Sequence, residues 1–447
     1  MSDAHQFHLL KERRFGPFFW ALYLGSFNDS LLKYVIVVWL TYQANLPWLP
    51  AAIVGSVAGA LVMLPSVLLS ATTGQMGDRW PLHQLIRAGK AFEVLMMAVA
   101  AWALWTHQVW TMLACVVLSG IHITLFSTLK YAYLPRYLDE RELVGGNGMM
   151  EMGMFTSILL GTLLGGLLAS PSDLLPGLPE GVANALAPAL LGMLALLGLW
   201  SARRIPATLA TDPALRINLN PITETWRNVR RAGEHGDVVW AMLGISWMWF
   251  FGALFLTLFP AITHNALHAQ ASVVSLLLVL ISLGIGVGSL TCERLARGRS
   301  SLALVPLGAL GMAVFGGDLA RVLMGLETAP APVGGWALMD FVAQGRHQYF
   351  MADFWLMAMS VGWFSVPLYA QMQARAEPSH RARVVGANNI INALFMLGCA
   401  LWSGALGAAG LSIGGIIAAT MVLHSMVCLW AFWRQPRWRE ALAQWRT

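Results

Sequence analysis

Apolar runs of about 20 residues alternate along the chain with short polar or Gly/Pro-broken connections, the pattern of helices that each cross a bilayer. Between these breaks the sequence predicts about twelve spans. The first six cover 17–42, 50–72, 85–106, 109–129, 149–170 and 182–201. The second six cover 237–262, 271–291, 301–322, 350–373, 385–407 and 411–433. The polar segment 202–236 reads as a cytoplasmic linker between an N-terminal bundle, 1–201, and a C-terminal bundle, 237–447. An outer loop, 325–348, carries APAPVGG, for which no element is predicted.

The first run breaks the pattern, because GSFNDSLLKY, Gly25 to Tyr34, places Asn28, Asp29, Ser30 and Lys33 near its midpoint. Asp29 and Lys33 stand at i and i+4, on one helix face where they can pair. Charges at that depth are costly and face a bundle interior or a water-filled cavity. A purely structural ion pair is the competing explanation, but the neighbouring Asn28 and Ser30 favour a functional one. The seventh run, at the equivalent place, reads ISWMWFFGALF and carries no charge.

Composition agrees with a membrane protein: 57% of residues are hydrophobic and 11% charged, and the 20 tryptophans suit membrane interfaces. The formal charge of +6 does not point to nucleic acid, since the basic residues are scattered over short connections. Inner connections hold Arg79, Lys130, Arg136, Arg203, Arg204, Arg216, Arg227, Arg230 and Arg231. Later ones hold Arg294, Arg297, Arg299, Arg375, Arg381 and Arg383, and the tail Arg434, Arg437 and Arg439. Arg346 and Arg321 are the cations on the outer side, so the positive-inside pattern puts both termini in the cytoplasm. Lys11, Arg13 and Arg14 precede a run too long and too polar for a signal peptide, which is therefore a retained first helix. Cys115, Cys292, Cys399 and Cys428 show no metal-ligand spacing and read as free thiols, and neither metal nor cofactor is expected.

The two halves repeat one another. Tyr131-Ala132 matches Tyr369-Ala370, and Val144-Gly145-Gly146-Asn147 matches Val385-Gly386-Ala387-Asn388. GQMGDR, Gly74 to Arg79, has a weaker echo in SLTCER, Ser289 to Arg294. GTLLGG and LGIGVG supply small-residue faces for close helix approach. Asn147 and Glu151, like Asn388 and Asn392, share a helix face. Asn147 and Asn388 read best as N-terminal caps, whereas Glu151 lies inside its span. Arg87, Lys90 and Glu93 follow at intervals of three, and Lys130 ends the fourth span. These cations either line the inner half of a cavity or snorkel to lipid phosphates.

GQMGDRW, in the connection after the second span, resembles the G-x-L-x-D-R signature of the major facilitator superfamily, with Met76 for Leu. The expected fold is all-α, with two pseudo-symmetric six-helix bundles. Gly74 and Gly77 would let the loop turn tightly. The resemblance implies that Asp78, beside Arg79, latches onto the start of the eleventh span near Val384 to Asn389, where free N–H groups and the helix dipole favour a carboxylate. By pseudo-symmetry Glu293, beside Arg294, would meet Gly145 to Asn147, with Asn147 and Asn388 at the receiving helix starts. Ordinary solvated loop charges are the alternative.

LGSFNDSLLKYVIV, GQMGDRWPLHQLIRAGKAFE, LKYAYLPRYLDERELVGGNGMMEMGMF and VPLYAQMQARAEPSHRARVVGANNIINALFM resemble the bacterial lysophospholipid transporter (LplT) family over about a third of the chain. The NGMM and MEMG portion and the outer loop near Pro330 depart from that family. The resemblance implies import of lysophospholipids, such as lysophosphatidylethanolamine, from the outer to the inner leaflet of the bacterial inner membrane by a monomer. No H-x-x-x-x-D sequence occurs, so reacylation is assigned to a separate acyltransferase. The headgroup would meet Asn28, Asp29, Lys33, Glu93, Lys130 and Glu151, and the acyl chain Trp247, Trp249, Phe250 and Phe251. An exporter of drugs or other amphiphiles in the same superfamily is the alternative. An enzyme is not expected, since no HExxH or nucleophile motif occurs.

Overall fold

The computed structural model describes residues 6–42, 51–169, 179–233, 236–270, 272–296, 301–330 and 332–446. Arg297 and Arg299, expected in an inner connection, lie outside the described residues. Among the described residues the regular secondary structure is helical, apart from one isolated bridge between Ala269 and Trp336.

The first half contains α1 (Gly16–Tyr42), α2 (Ala51–Arg79), α3 (Leu82–Trp105), α4 (Val109–Tyr137), α5 (Leu143–Leu168) and α6 (Glu180–Arg203). A short helix α7 (Pro221–Ala232) lies in the linker. The second half contains α8 (Gly236–Ala261), α9 (Ser272–Ala296), α10 (Leu304–Glu327), the short α11 (Leu338–Ala343), α12 (Gly345–Arg375), α13 (Arg381–Ala408) and α14 (Ile413–Arg434), followed by α15 (Pro436–Arg446). Eleven of these helices are long and apolar enough to cross a membrane. The first helix is long enough as well, about 40 Å at 1.5 Å per residue, and falls short in hydropathy because of its polar centre.

Several helices outrun their expected spans, the second and fourth by the most at their C-terminal ends. The second continues through Gly74 to Arg79, so GQMGDR is the last turns of a helix and not a loop. Its glycines therefore serve helix approach instead of a tight turn: a Cβ on Gly74 would stand 2.8 Å from the Ala382 carbonyl oxygen, and one on Gly77 would stand 2.9 Å from Ala382 Cβ. The fourth helix likewise runs on to Tyr137.

The chain divides into two compact units. Unit 1 comprises 1–138, 156–236 and 375–390; unit 2 comprises 139–155, 237–374 and 391–447. Each repeated stretch that opens α5 or α13 is thus grouped with the other part of the chain. Unit 1 is cored by Leu31, Leu32 and Ile36 of α1, Met97 of α3, Cys115 and Val116 of α4 and Leu191 of α6. Within it α5 runs against α1, where Gly161 and Gly165 face the Phe27 and Leu31 carbonyls with no room for a side chain. Lipid tails are as apolar as the side chains, so such helices associate through close packing and not through the hydrophobic effect.

Unit 2 uses the same device. A Cβ on Gly288 of α9 would collide with the Met359 carbonyl of α12, whereas Gly286 two residues earlier faces Met152 at an ordinary 3.5 Å. Gly288→Ala should therefore cost about 1–3 kcal/mol by overpacking, while Gly286→Ala should stay close to the parent protein. Thermal unfolding in one detergent checks both, and equal melting temperatures for the two variants would refute the packing assignment.

Candidate functional site

Three helices of unit 1 bring polar side chains together in its interior, and a fourth adds a backbone carbonyl. Asn28 and Asp29 come from α1, Lys90 and Glu93 from α3 and His122 from α4, and all five are buried. Lys90 and Glu93 are both 0% exposed, so neither reaches water or lipid headgroups. The Lys90 Nζ donates to Glu93 Oε2 at 2.6 Å. Asn28 Nδ2 donates to Glu93 Oε1 at 3.0 Å and to the Leu191 carbonyl of α6 at 3.2 Å. His122 Nδ1 lies 2.8 Å from Asp29 Oδ2. Its Nε2 lies 3.2 Å from Glu93 Oε2 but is not aligned as a hydrogen bond.

Sequence spacing explains how this cluster forms. Lys90 and Glu93 are one turn apart, so both project from one face of α3. Gly25 of α1 leaves the space that the Lys90 ammonium fills, since a Cβ there would collide with Nζ. The Phe126 ring lies 4.7 Å from the same ammonium and adds a cation–π contact. Three buried atoms keep no partner: Asn28 Oδ1, Asp29 Oδ1 and His122 Nε2. Two of these are acceptors, so the cluster can bind a further cationic or hydrogen-bond-donating group.

Several expectations change here. Asp29 pairs with His122 and not with Lys33, whose Nζ sits over the Tyr34 ring at 5.0 Å. The imidazole of α4 meets the carboxylate at hydrogen-bond distance, while the Lys33 ammonium turns to the neighbouring ring. Lys90 does not snorkel. Arg87 does not line a cavity either; it donates to the carbonyls of Ala202, Arg203 and Ile205 at the end of α6. Lys130 is buried with its Nζ 4.2 Å from the Tyr131 ring, and Glu151 is buried in unit 2.

The aromatic residues of α8 are mostly core. Trp247 donates to His424 Nδ1 of α14 at 2.9 Å and stacks on Phe250 with centroids 4.9 Å apart. Phe250 and Phe251 are buried, which removes them from any open apolar wall, and Trp249 is half-buried with its Nε1 on the Tyr369 hydroxyl at 3.2 Å.

At the end of α2, Asp78 is buried against the first turn of α13, both within unit 1. Its carboxylate accepts from the Ala382 and Arg383 amides at 3.4 and 3.3 Å and from Arg383 Nε at 3.0 Å. Arg136 stands 4.0 Å away, and Thr211 donates its hydroxyl at 3.3 Å. Arg383 also reaches Asp212 at 3.2 Å, so the linker joins the clasp. Arg79 is not in it; its guanidinium lies 5.2 Å from the Trp80 ring.

Neither Asn147 nor Asn388 is a cap, because α5 and α13 begin four and seven residues before them. Asn147 instead exchanges two amide hydrogen bonds with Gln373 of α12, at 2.8 and 2.9 Å. Asn388 is buried with its Oδ1 unpartnered. In unit 2 the backbone of Ser289 packs against Gly148, four residues before the half-buried Glu293 and five before the exposed Arg294.

The family model described as Major Facilitator Superfamily matches residues 18–326. The chain belongs to the major facilitator superfamily. Among curated members it is 23% identical over 434 residues to a protein of Klebsiella pneumoniae strain 342 named lysophospholipid transporter LplT, covering 93% of this chain and 94% of that one. The protein of that name from Escherichia coli strain SE11 is 24% identical over 388 residues, covering 83% and 81%. Among solved structures of the superfamily, the human organic anion transporter MFSD10 superposes with a TM-score of 0.69 at 14% identity, over 94% of this chain and 99% of that one. The transporter FucP in its outward conformation gives 0.66 at 10% identity, over 94% and 98%. These last two show the fold alone. The superfamily's members here are transporters.

The residue missed from the sequence is His122. Its signal was a single imidazole inside the otherwise apolar run 109–129, where a neutral core histidine is an equally good explanation. The cluster's energetics can be tested through its cation. Lys90→Met leaves Glu93 buried without its ammonium and should cost about 3–5 kcal/mol. Lys90→Met combined with Glu93→Gln should cost less than Lys90→Met alone. Strictly additive losses in unfolding experiments would contradict the pairing.

Proposed function

We propose that the chain moves lysophospholipids from the outer to the inner leaflet of the bacterial inner membrane by alternating access of two six-helix halves, with both termini cytoplasmic. The observation that carries this proposal is the buried Asn28–Asp29–Lys90–Glu93–His122 cluster with its unpartnered acceptors. Charges are retained at membrane depth where they serve a polar cargo. The LplT name of the relatives supports a lysophospholipid as that cargo.

In this mechanism Asp29 Oδ1 and Asn28 Oδ1 receive the ammonium of an ethanolamine headgroup. His122 holds the other Asp29 oxygen, and the Lys90–Glu93 pair holds Asn28, so both acceptors are oriented before cargo arrives. Lys33, one turn further along α1, meets the phosphate. Lys130 extends the polar path within unit 1. The clasp of Asp78 on α13 acts as a latch that releases as the halves rock, with Glu293 in the corresponding position of the other half. The inner-leaflet product is then the substrate of a separate acyltransferase.

Uptake of fluorescent lysophosphatidylethanolamine into proteoliposomes tests the cargo assignment. Asp29→Asn and Asn28→Ala should each lower uptake at least tenfold while the protein remains folded in the membrane; undiminished uptake by both variants would sink the assignment. Export of cationic dyes by the same preparation, with no lysolipid movement, would favour an amphiphile exporter. Asp78→Asn should slow transport with lysolipid binding largely kept. Parallel loss of binding and transport in that variant would remove the latch role.

A further inference from the structure

A second site lies on unit 1, where the segment before α1 and the end of α6 border an open cavity of about 810 Å³. Its polar wall carries Lys11, Arg13, Arg203 and Arg204. No carboxylate among the described residues pairs with any of these four cations, whereas Glu12 beside them is already taken by Arg14 and His8. Trp20 and Trp200 form its apolar wall, and the Arg204 guanidinium lies 3.5 Å from the Trp200 ring. The carbonyl end of α6 would repel an anion, but Arg87 occupies the carbonyls of Ala202, Arg203 and Ile205. The Ser201 hydroxyl ties this end to α1 through the Pro17 carbonyl at 2.9 Å.

The cavity continues into an apolar groove. Leu197 and Trp200 line both, and from there the groove of about 630 Å³ follows α6 back past Leu196, Met193 and Gly192 to Pro188. From Trp200 to Pro188 the helix rises about 18 Å, slightly more than the roughly 15 Å of hydrocarbon in one leaflet. Gly192 faces open space, which keeps the groove floor low.

We propose that this is a binding site for an anionic glycerophospholipid of the adjoining leaflet, with its phosphate between the four cations and one acyl chain along α6. The two tryptophans of its wall place the cavity at the depth of the lipid headgroups. Four cations without carboxylate partners match an anionic headgroup in charge, and juxtamembrane Lys and Arg each add to attraction for anionic lipid. The charge asymmetry of the connections makes that leaflet the cytoplasmic one. The site does not depend on what the transporter carries, since none of its residues belongs to the buried cluster.

The test uses the purified full chain in detergent, titrated with phosphatidylglycerol, phosphatidylcholine or inorganic phosphate and read by native mass spectrometry. The parent protein should prefer phosphatidylglycerol over phosphatidylcholine by about tenfold. Arg203→Gln with Arg204→Gln should abolish that preference, and Arg203→Lys with Arg204→Lys should keep most of it. Gly192→Phe fills the groove and should weaken phosphatidylglycerol severalfold without changing its rank over phosphatidylcholine. Equal binding of the two lipids by the parent, or an unchanged preference in the folded glutamine variant, overturns the proposal. Inorganic phosphate bound as tightly as phosphatidylglycerol, with Gly192→Phe neutral, would reduce the site to an anion pocket and overturn it as well.

Discussion

A charge taken into hydrocarbon must bring its own solvation, and in unit 1 that requirement falls first on the ammonium of Lys90. It is met by Glu93 Oε2 at 2.6 Å and by the face of Phe126. The remaining Glu93 oxygen then needs a donor, which Asn28 of α1 supplies while its second proton goes to the Leu191 carbonyl of α6. His122 stands between Glu93 and Asp29 and draws α4 into the same set. One buried cation therefore fixes the positions of four helices relative to each other. Half-satisfied networks of this kind are worse than an apolar core, so the two acceptors left open here, Asn28 Oδ1 and Asp29 Oδ1, stand out.

Close approach of backbones supplies the second constraint, and it depends on glycine. Gly25 makes room for Lys90, Gly161 and Gly165 let α5 lie on α1, and Gly74 and Gly386 let α2 and α13 meet. At that last crossing the carboxylate of Asp78 accepts two amides from the first turn of α13. A helix start has amides without intrahelical partners, so the contact satisfies both sides: the carboxylate loses water but gains donors aligned with a dipole. Arg383 and Arg136 then balance its charge. The glycine spacing and the carboxylate act together, because without the glycines the carboxylate would stop short of the amides.

Much of this was legible in the chain. Helix number and the repeat follow from hydropathy and spacing, and GQMGDR announced a contact between Asp78 and the start of the eleventh span. Its helical conformation is not legible there, because Gly and Asp signal turns in water-soluble contexts, whereas a neighbouring helix can use the same glycines as a packing face. The polar centre of α1 was recognised, but its partners were not. Periodicity along one helix can pair Asp29 with Lys33; it carries no information about His122, 93 residues away and on another helix. In the same way, an aromatic run in a span does not say which rings face a neighbour, as Trp247 faces His424.

The cations at the helix ends sort by what compensates them, and this sorting separates structure from binding. Arg87, Arg14 and Arg381 donate to the carbonyls that end α6 and α4, where the helix dipole is negative. Arg383 serves Asp78 and Asp212. Lys90 is consumed inside the unit. Removing any of these exposes an unmet group elsewhere, so their charge is committed to the fold. Lys11, Arg13, Arg203 and Arg204 have no carboxylate partner among the described residues and border a cavity that opens beside an apolar groove. A positive-inside bias alone would scatter such residues over the connections. Their convergence from two chain segments 190 residues apart, Arg13 to Arg203, needs a further cause, and an exchangeable anion with a hydrocarbon tail supplies one that neither topology nor folding requires.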